Sequence, residues 1–143
     1  MRYLGLDLGS RTLGIALSDQ TGLIASNYGV IRHKEEYSRL VNEVTLLVDK
    51  LKVEAIVLGF PKNMNNSIGP KGELSIKFKK KLEKKLSIPI YLQDERLSTK
   101  SATDMLILGN VSRKSRKKVV DGVAATIILQ SYLDKERRTN EKK

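Results

Sequence analysis

Four carboxylates stand where they could do chemistry: Asp7, the neighbours Asp94 and Glu95, and Asp121. Asp7 lies inside the apolar run Tyr3-Leu4-Gly5-Leu6-Asp7-Leu8, where a carboxylate is costly to bury unless something pairs with it. Glycines at 5, 9 and 14 would let backbone, phosphate or metal come close. Carboxylates gathered without His or Cys suit hard cations with oxygen ligands, Mg²⁺ or Mn²⁺. Two such ions about 3.5–4 Å apart clamp the attacking and leaving oxygens in phosphodiester hydrolysis. Each acid also has a plainer reading. Asp7 could end a strand and cap a turn, and Glu95 could pair with Arg96 on the surface. Asp121 could favour a helix N-terminus. Asp94 and Glu95 follow a strand and point opposite ways, and Glu95 is the preferred candidate of the two.

The elements that must bring these acids together can be read from periodicity. Residues 2–8 form a first strand. Residues 12–18 alternate, with Leu13, Ile15 and Leu17 on one face, which predicts a half-buried antiparallel strand. A third strand at 23–31 completes a meander. Leu40, Val44, Leu47, Val48 and Leu51 predict a helix over 35–51. Residues 53–59 read as a strand covered on both faces. Helix 73–86 and strand 88–93 follow. Ser98 caps a helix over 99–108 that ends at Gly109 and Asn110. Residues 111–118 read as a polar, basic, mobile segment, and the last helix spans 118–134. Residues 135–143 read as a charged, frayed tail.

This order predicts one domain over 1–138, with a flexible basic tail at 139–143. Its fold class is α/β, ribonuclease H-like by topology. A mixed five-stranded sheet joins a three-strand antiparallel meander to two parallel strands, with helices on both faces and right-handed crossovers. Sites in such sheets lie beyond the carboxyl ends of the parallel strands. Asp7 and the Asp94-Glu95 pair would share that edge, and Asp121 joins them if its helix packs across it.

A polyanion would find a positive surround. The chain of 143 residues carries 27 Lys and Arg against 16 Asp and Glu, a net +11. That balance favours nucleic acid, with anionic lipid second. Seven aromatic residues (Phe60, Phe78 and five Tyr, no Trp) argue against a base-stacking platform and for backbone recognition. The loop Gly59 to Glu73 offers Lys62, Lys71 and small polar groups to phosphates near a helix N-terminus. Arg113, Lys114, Arg116, Lys117 and Lys118 lie just before Asp121, and with Arg11 and Arg96 they complete the candidate nucleic-acid contacts. Lys77 to Lys85 read most simply as the solvated face of a helix. His33, the single His, reads as a surface residue. No apolar run approaches 18 residues and no signal peptide is visible. The absence of Cys excludes disulfides and fits a cytoplasmic location.

Gly5 to Asp19, Gly59-Phe60-Pro61-Lys62-Asn63-Met64 with Gly69-Pro70, Asp94-Glu95-Arg96-Leu97-Ser98-Thr99, and Lys118 to Asp134 are four ordered motifs. Together they make the chain resemble the YqgF/RuvX family, bacterial ribonuclease H-like proteins described as Holliday junction resolvases and as pre-16S rRNA nucleases. The resemblance covers nearly the whole chain. It implies that Asp7, Glu95 and Asp121 form a metal-binding active site. It also implies a nuclease that processes the 5′ end of pre-16S rRNA, with Holliday junction resolution as the alternative. A resolvase would act as a dimer, so both monomer and homodimer remain open. Two further readings compete. Asp7-Leu8-Gly9-Ser10 followed by Thr12 resembles a phosphate motif of actin-like and sugar-kinase-like ATPases, but those close two domains over a nucleotide and this chain holds one. A non-catalytic nucleic-acid-binding module is the other.

Overall fold

The computed structural model describes residues 1–61, 67–94 and 113–141, and in the last of these the side chains of 123–137. Its elements are β1 (Tyr3–Leu8), β2 (Thr12–Ser18), β3 (Ala25–Arg32), α1 (Tyr37–Leu51), β4 (Ala55–Phe60), α2 (Pro70–Lys85), β5 (Ile90–Asp94) and α3 (Arg113–Glu141). The strand order is β3-β2-β1-β4-β5. The β1–β2 and β2–β3 pairs are antiparallel, and β1–β4 and β4–β5 are parallel. This is the mixed sheet and α/β class that the sequence predicts. Among the described residues no helix is long and apolar enough to cross a membrane.

Strand alternation divides the sheet into two faces. Leu4, Leu6, Leu13, Ile15, Ile56, Leu58 and Ile90 meet Leu40, Val41, Val44 and Val48 of α1, and Phe78 and Leu82 of α2. On the other face Ala16 and Val57 meet Ala125, Ile128, Leu129, Tyr132 and Leu133 of α3. Every residue of β4 is buried, as a strand covered on both faces requires.

β2 departs from expectation. Instead of being half-buried, it is covered on both faces, with Ala16 at 0% and Ser18 at 2% exposure. Its small residues, Gly14, Ala16 and Ser18, resemble a solvent face in sequence but form the seat of α3. Ser18 is satisfied there. Its Oγ accepts from the Tyr3 amide at 2.7 Å and donates to the Asp19 carbonyl at 2.9 Å.

Helix limits also differ. α2 begins at Pro70, three residues early, because proline at the first helical position is pre-set for a helix and loses no needed N–H. α3 begins at Arg113 and runs through Glu141, so residues 113–118 of the segment read as mobile and 135–141 of the segment read as frayed are helical. Lys, Arg and Glu are good helix formers, and neither stretch contains Gly or Pro to stop them. Apolar periodicity could not find these turns, because residues 113–118 and 135–141 contain no apolar residue. The helix expected over 99–108 lies outside the described residues.

Candidate active site

The edge of the sheet is best built outward from Gly5. A Cβ added there would lie 2.8 Å from Leu129 Cβ and 3.2 Å from the Ala125 carbonyl oxygen, so α3 rests directly on β1. Farther down, the Tyr3 and Tyr132 rings lie 5.8 Å apart. The helix therefore descends as the strand ascends. Asp7 lies two residues above Gly5, about 6.6 Å along the strand. Position 121 lies one turn above Ala125, about 6 Å along the helix. Position 121, one turn beyond Ala125 and two beyond Leu129, therefore lies toward the same end of the sheet as Asp7.

Asp7 shares the α3 face with Gly5 and is half-buried. Gly14 is its partner on β2. On the other side Leu6 pairs with Leu58, so the next row sets Asp7 beside Gly59, which itself pairs with Gln93. The row reads Gly14, Asp7, Gly59, Gln93. Two glycines leave the strands on either side of the carboxylate bare, which is where a ligand can approach a sheet.

Asp94 ends β5 opposite Phe60. The alternation that puts Ile90 and Leu92 with α1 and α2 puts Asp94 on their face also, away from Asp7. Tyr91 takes the α3 face, stacked on Tyr132 at 5.3 Å. Burial raises the hydroxyl pKa of Tyr132, and Glu136 raises it further. Glu95, Arg96 and Lys62 lie outside the described residues. Asp121, Arg113, Lys114, Arg116, Lys117 and Lys118 lie on α3, their side chains outside the described ones. Arg11, in the turn after β1, and Lys71, in the first turn of α2, are both exposed.

His33 corrects a sequence expectation. It is not a surface residue but is 5% exposed. Its Nε2–H donates to the Gly9 carbonyl at 2.9 Å, and its Nδ1 accepts the Glu35 amide at 3.0 Å. Its own amide donates to the Arg11 carbonyl at 2.9 Å. It thus clamps the Gly9–Thr12 turn, which begins two residues after Asp7. Glu35 takes a positive φ of 60° to make this contact. One signal was available in the sequence: His33 directly follows a strand that pairs beside the turn. With both ring nitrogens engaged, the chain's single imidazole leaves the edge an oxygen-only donor set, which fits Mg²⁺ or Mn²⁺. Among the described residues no group of three potential ligands is assembled.

The sheet order, pairing directions and two-sided helix cover define a ribonuclease H-like protein. RuvC of Thermus thermophilus, solved in complex with a Holliday junction substrate, has a similar fold, with a TM-score of 0.62 at 17% identity over 97% of both chains. The chain belongs to the RuvX family, whose model, described as Holliday junction resolvase, matches residues 1–135. A relative from Bacillus subtilis (strain 168), provisionally named a pre-16S rRNA nuclease, is 50% identical over 94% of this chain and 98% of its own. One of the same designation from Geobacillus sp. (strain WCH70) is 49% identical over 96% of this chain and all of its own.

Proposed function

We propose that this protein is a divalent-metal-dependent endonuclease that trims the 5′ end of pre-16S rRNA in the bacterial cytoplasm. The carrying observation is the placement of Asp7. It is half-buried between two glycines, on the face covered by α3, whose course up β1 carries position 121 toward the same end of the sheet. The names of the half-identical relatives support the substrate. In this reading Asp7, Glu95 and Asp121 hold Mg²⁺ or Mn²⁺. Glu95 is preferred to Asp94 because Asp94 takes the far face of β5. Bound ions, two in the full form of this reading, supply an activated water and charge stabilisation at the phosphate.

The chain's own groups do the rest. Gly14 and Gly59 leave room for the phosphodiester beside Asp7. His33 holds the turn that follows the strand. Arg11 and Lys71, with Lys62, Arg96 and the basic start of α3, contact flanking phosphates. The family description favours a second reading, resolution of four-way DNA junctions.

One experiment tests both. The purified protein is given Mg²⁺ or Mn²⁺ with a 5′-extended 16S precursor and with a DNA junction. Cleavage of the precursor is expected, with Asp7→Asn reducing the rate more than about 100-fold, since even groups that only support metal ligands are worth 10–100-fold. Cleavage of the junction alone would replace the first reading by the second. Equal rates for wild type and Asp7→Asn would overturn both.

A further inference from the structure

Lys77 to Lys85 of α2 lie away from the Asp7 edge, on the opposite side of the sheet from Asp7. The helix carries seven Lys and two Glu, a net +5 over 16 residues. Its neighbour α1 carries Arg39 and Lys50 against Glu43 and Asp49, with Arg39 paired to both Glu36 and Glu43. On α2 the ion pair among the described residues is Lys79 with Glu83. Lys77 and Lys81, Lys80 and Lys84, and Lys81 and Lys85 stand four apart, and each such like-charge pair costs a helix about 0.2–0.5 kcal/mol. Solubility is served by mixed signs, as on α1, and does not require this.

The lysines also shape a site. Lys81, Lys84 and Lys85 meet Ser38, Val41 and Asn42 of α1 around a cleft of about 240 Å³. Lys85 Nζ donates to Asn42 Oδ1 at 2.6 Å, which fixes one amine against the cleft wall. Ammonium groups beside a hydroxyl and an amide form a donor set for phosphate oxygens, without base edges to read. We propose that this cleft and the lysine face of α2 form a second contact surface, for the phosphate backbone of a duplex stem in the nucleic acid being cut. The proposal rests on the nucleic-acid reading above. It adds a length requirement. α2 starts at the edge where Asp7 lies and runs back beneath the sheet, so Lys81 is about 17 Å from that edge. An A-form RNA stem rises a little under 3 Å per pair, so about six pairs beyond the cut are needed to reach it.

The test measures binding, with divalent metal left out so that cleavage plays no part. RNA hairpins with stems of 4 and 14 base pairs are titrated against three full-length proteins: wild type, Lys81→Gln/Lys84→Gln, and Lys50→Gln/Lys52→Gln. The second pair removes the same charge from exposed positions outside the cleft. Melting temperatures check that all three fold. For the long hairpin, Lys81→Gln/Lys84→Gln should flatten the slope of log K against log salt by about 2, so the wild-type advantage shrinks about tenfold between 50 and 200 mM KCl. The short hairpin and the control pair should show little change. An unchanged slope, an equal loss with the short hairpin, or an equal loss in the control would overturn the proposal. So would anionic vesicles taking over the lysine dependence while the RNA slope stays constant. Failure of the main reading shows differently, as precursor cleavage indifferent to Asp7→Asn.

Discussion

Substituting Gly5 by Ala tests the joint between sheet and helix on which the proposed site depends. The new Cβ would stand 2.8 Å from Leu129 Cβ and 3.2 Å from the Ala125 carbonyl oxygen. Carbon atoms rest at about 3.5–4.0 Å, so α3 must retreat by about 0.7–1.2 Å. The conflicting atoms are a Cβ and a backbone oxygen, and no rotamer change relieves them. Overpacking of this kind costs about 1–3 kcal/mol. For a chain of this size that lowers Tm by about 4–12 °C. Activity should fall further. Asp121 rides on the same helix, and a misplacement near 1 Å costs about 100-fold in rate. The assay is precursor cleavage at 25 °C, where the variant stays folded, beside thermal melts of the same preparations. Leu129→Ala is the control. It leaves a cavity worth about 2–5 kcal/mol but does not push the helix away, so its rate per folded molecule should stay within a few fold of wild type. A wild-type Tm for Gly5→Ala would refute the close seat. A lowered Tm with normal cleavage would refute the link between seat and site.

Other consequences can be checked alongside. Ser18→Ala removes the acceptor for the Tyr3 amide and should cost about 1–3 kcal/mol in urea unfolding. His33→Ala orphans the Gly9 carbonyl and the Glu35 amide and should cost about 2–4 kcal/mol, with His33→Gln restoring part of it through a donor to Gly9. Asp19 receives the Thr21 hydroxyl and the amides of Ile24 and Leu23, which hold its carboxyl at about 2, below the ordinary 3.8. A depressed folded-state pKa gives stability that is present above about pH 4 and lost as pH falls towards 2. The urea midpoint of wild type should therefore exceed that of Asp19→Asn at pH 7, and the gap should narrow between about pH 4 and 2.

The five strands and two of the helices were legible because burial writes its period into the chain. β4 is six apolar or small residues in a row, and α1 repeats Leu40, Val44 and Val48. β2 misled because Gly14, Ala16 and Ser18 carry too little side chain to announce burial. The ends of α3 were missed because residues 113–118 and 135–141 contain no apolar residue from which a period could be read. His33 was missed because its partners are backbone groups, which have no sequence signature.

By itself the sequence determined that this is an α/β chain with a meander, that oxygen ligands are its only dense metal donors, and that its charge suits a polyanion. It also singled out Asp7 by the cost of an acid in an apolar run. Only the tertiary structure decided which face Asp7 takes, that two glycines flank it, and that α3 descends along β1 with its earlier turns toward the Asp7 end. It alone carried Lys81, Lys84 and Lys85 away from that edge and set them around a cleft. The physical reason is that periodicity records whether a residue is covered, while the direction and height at which two elements cross depend on contacts such as Gly5 against Leu129, between residues far apart in the chain.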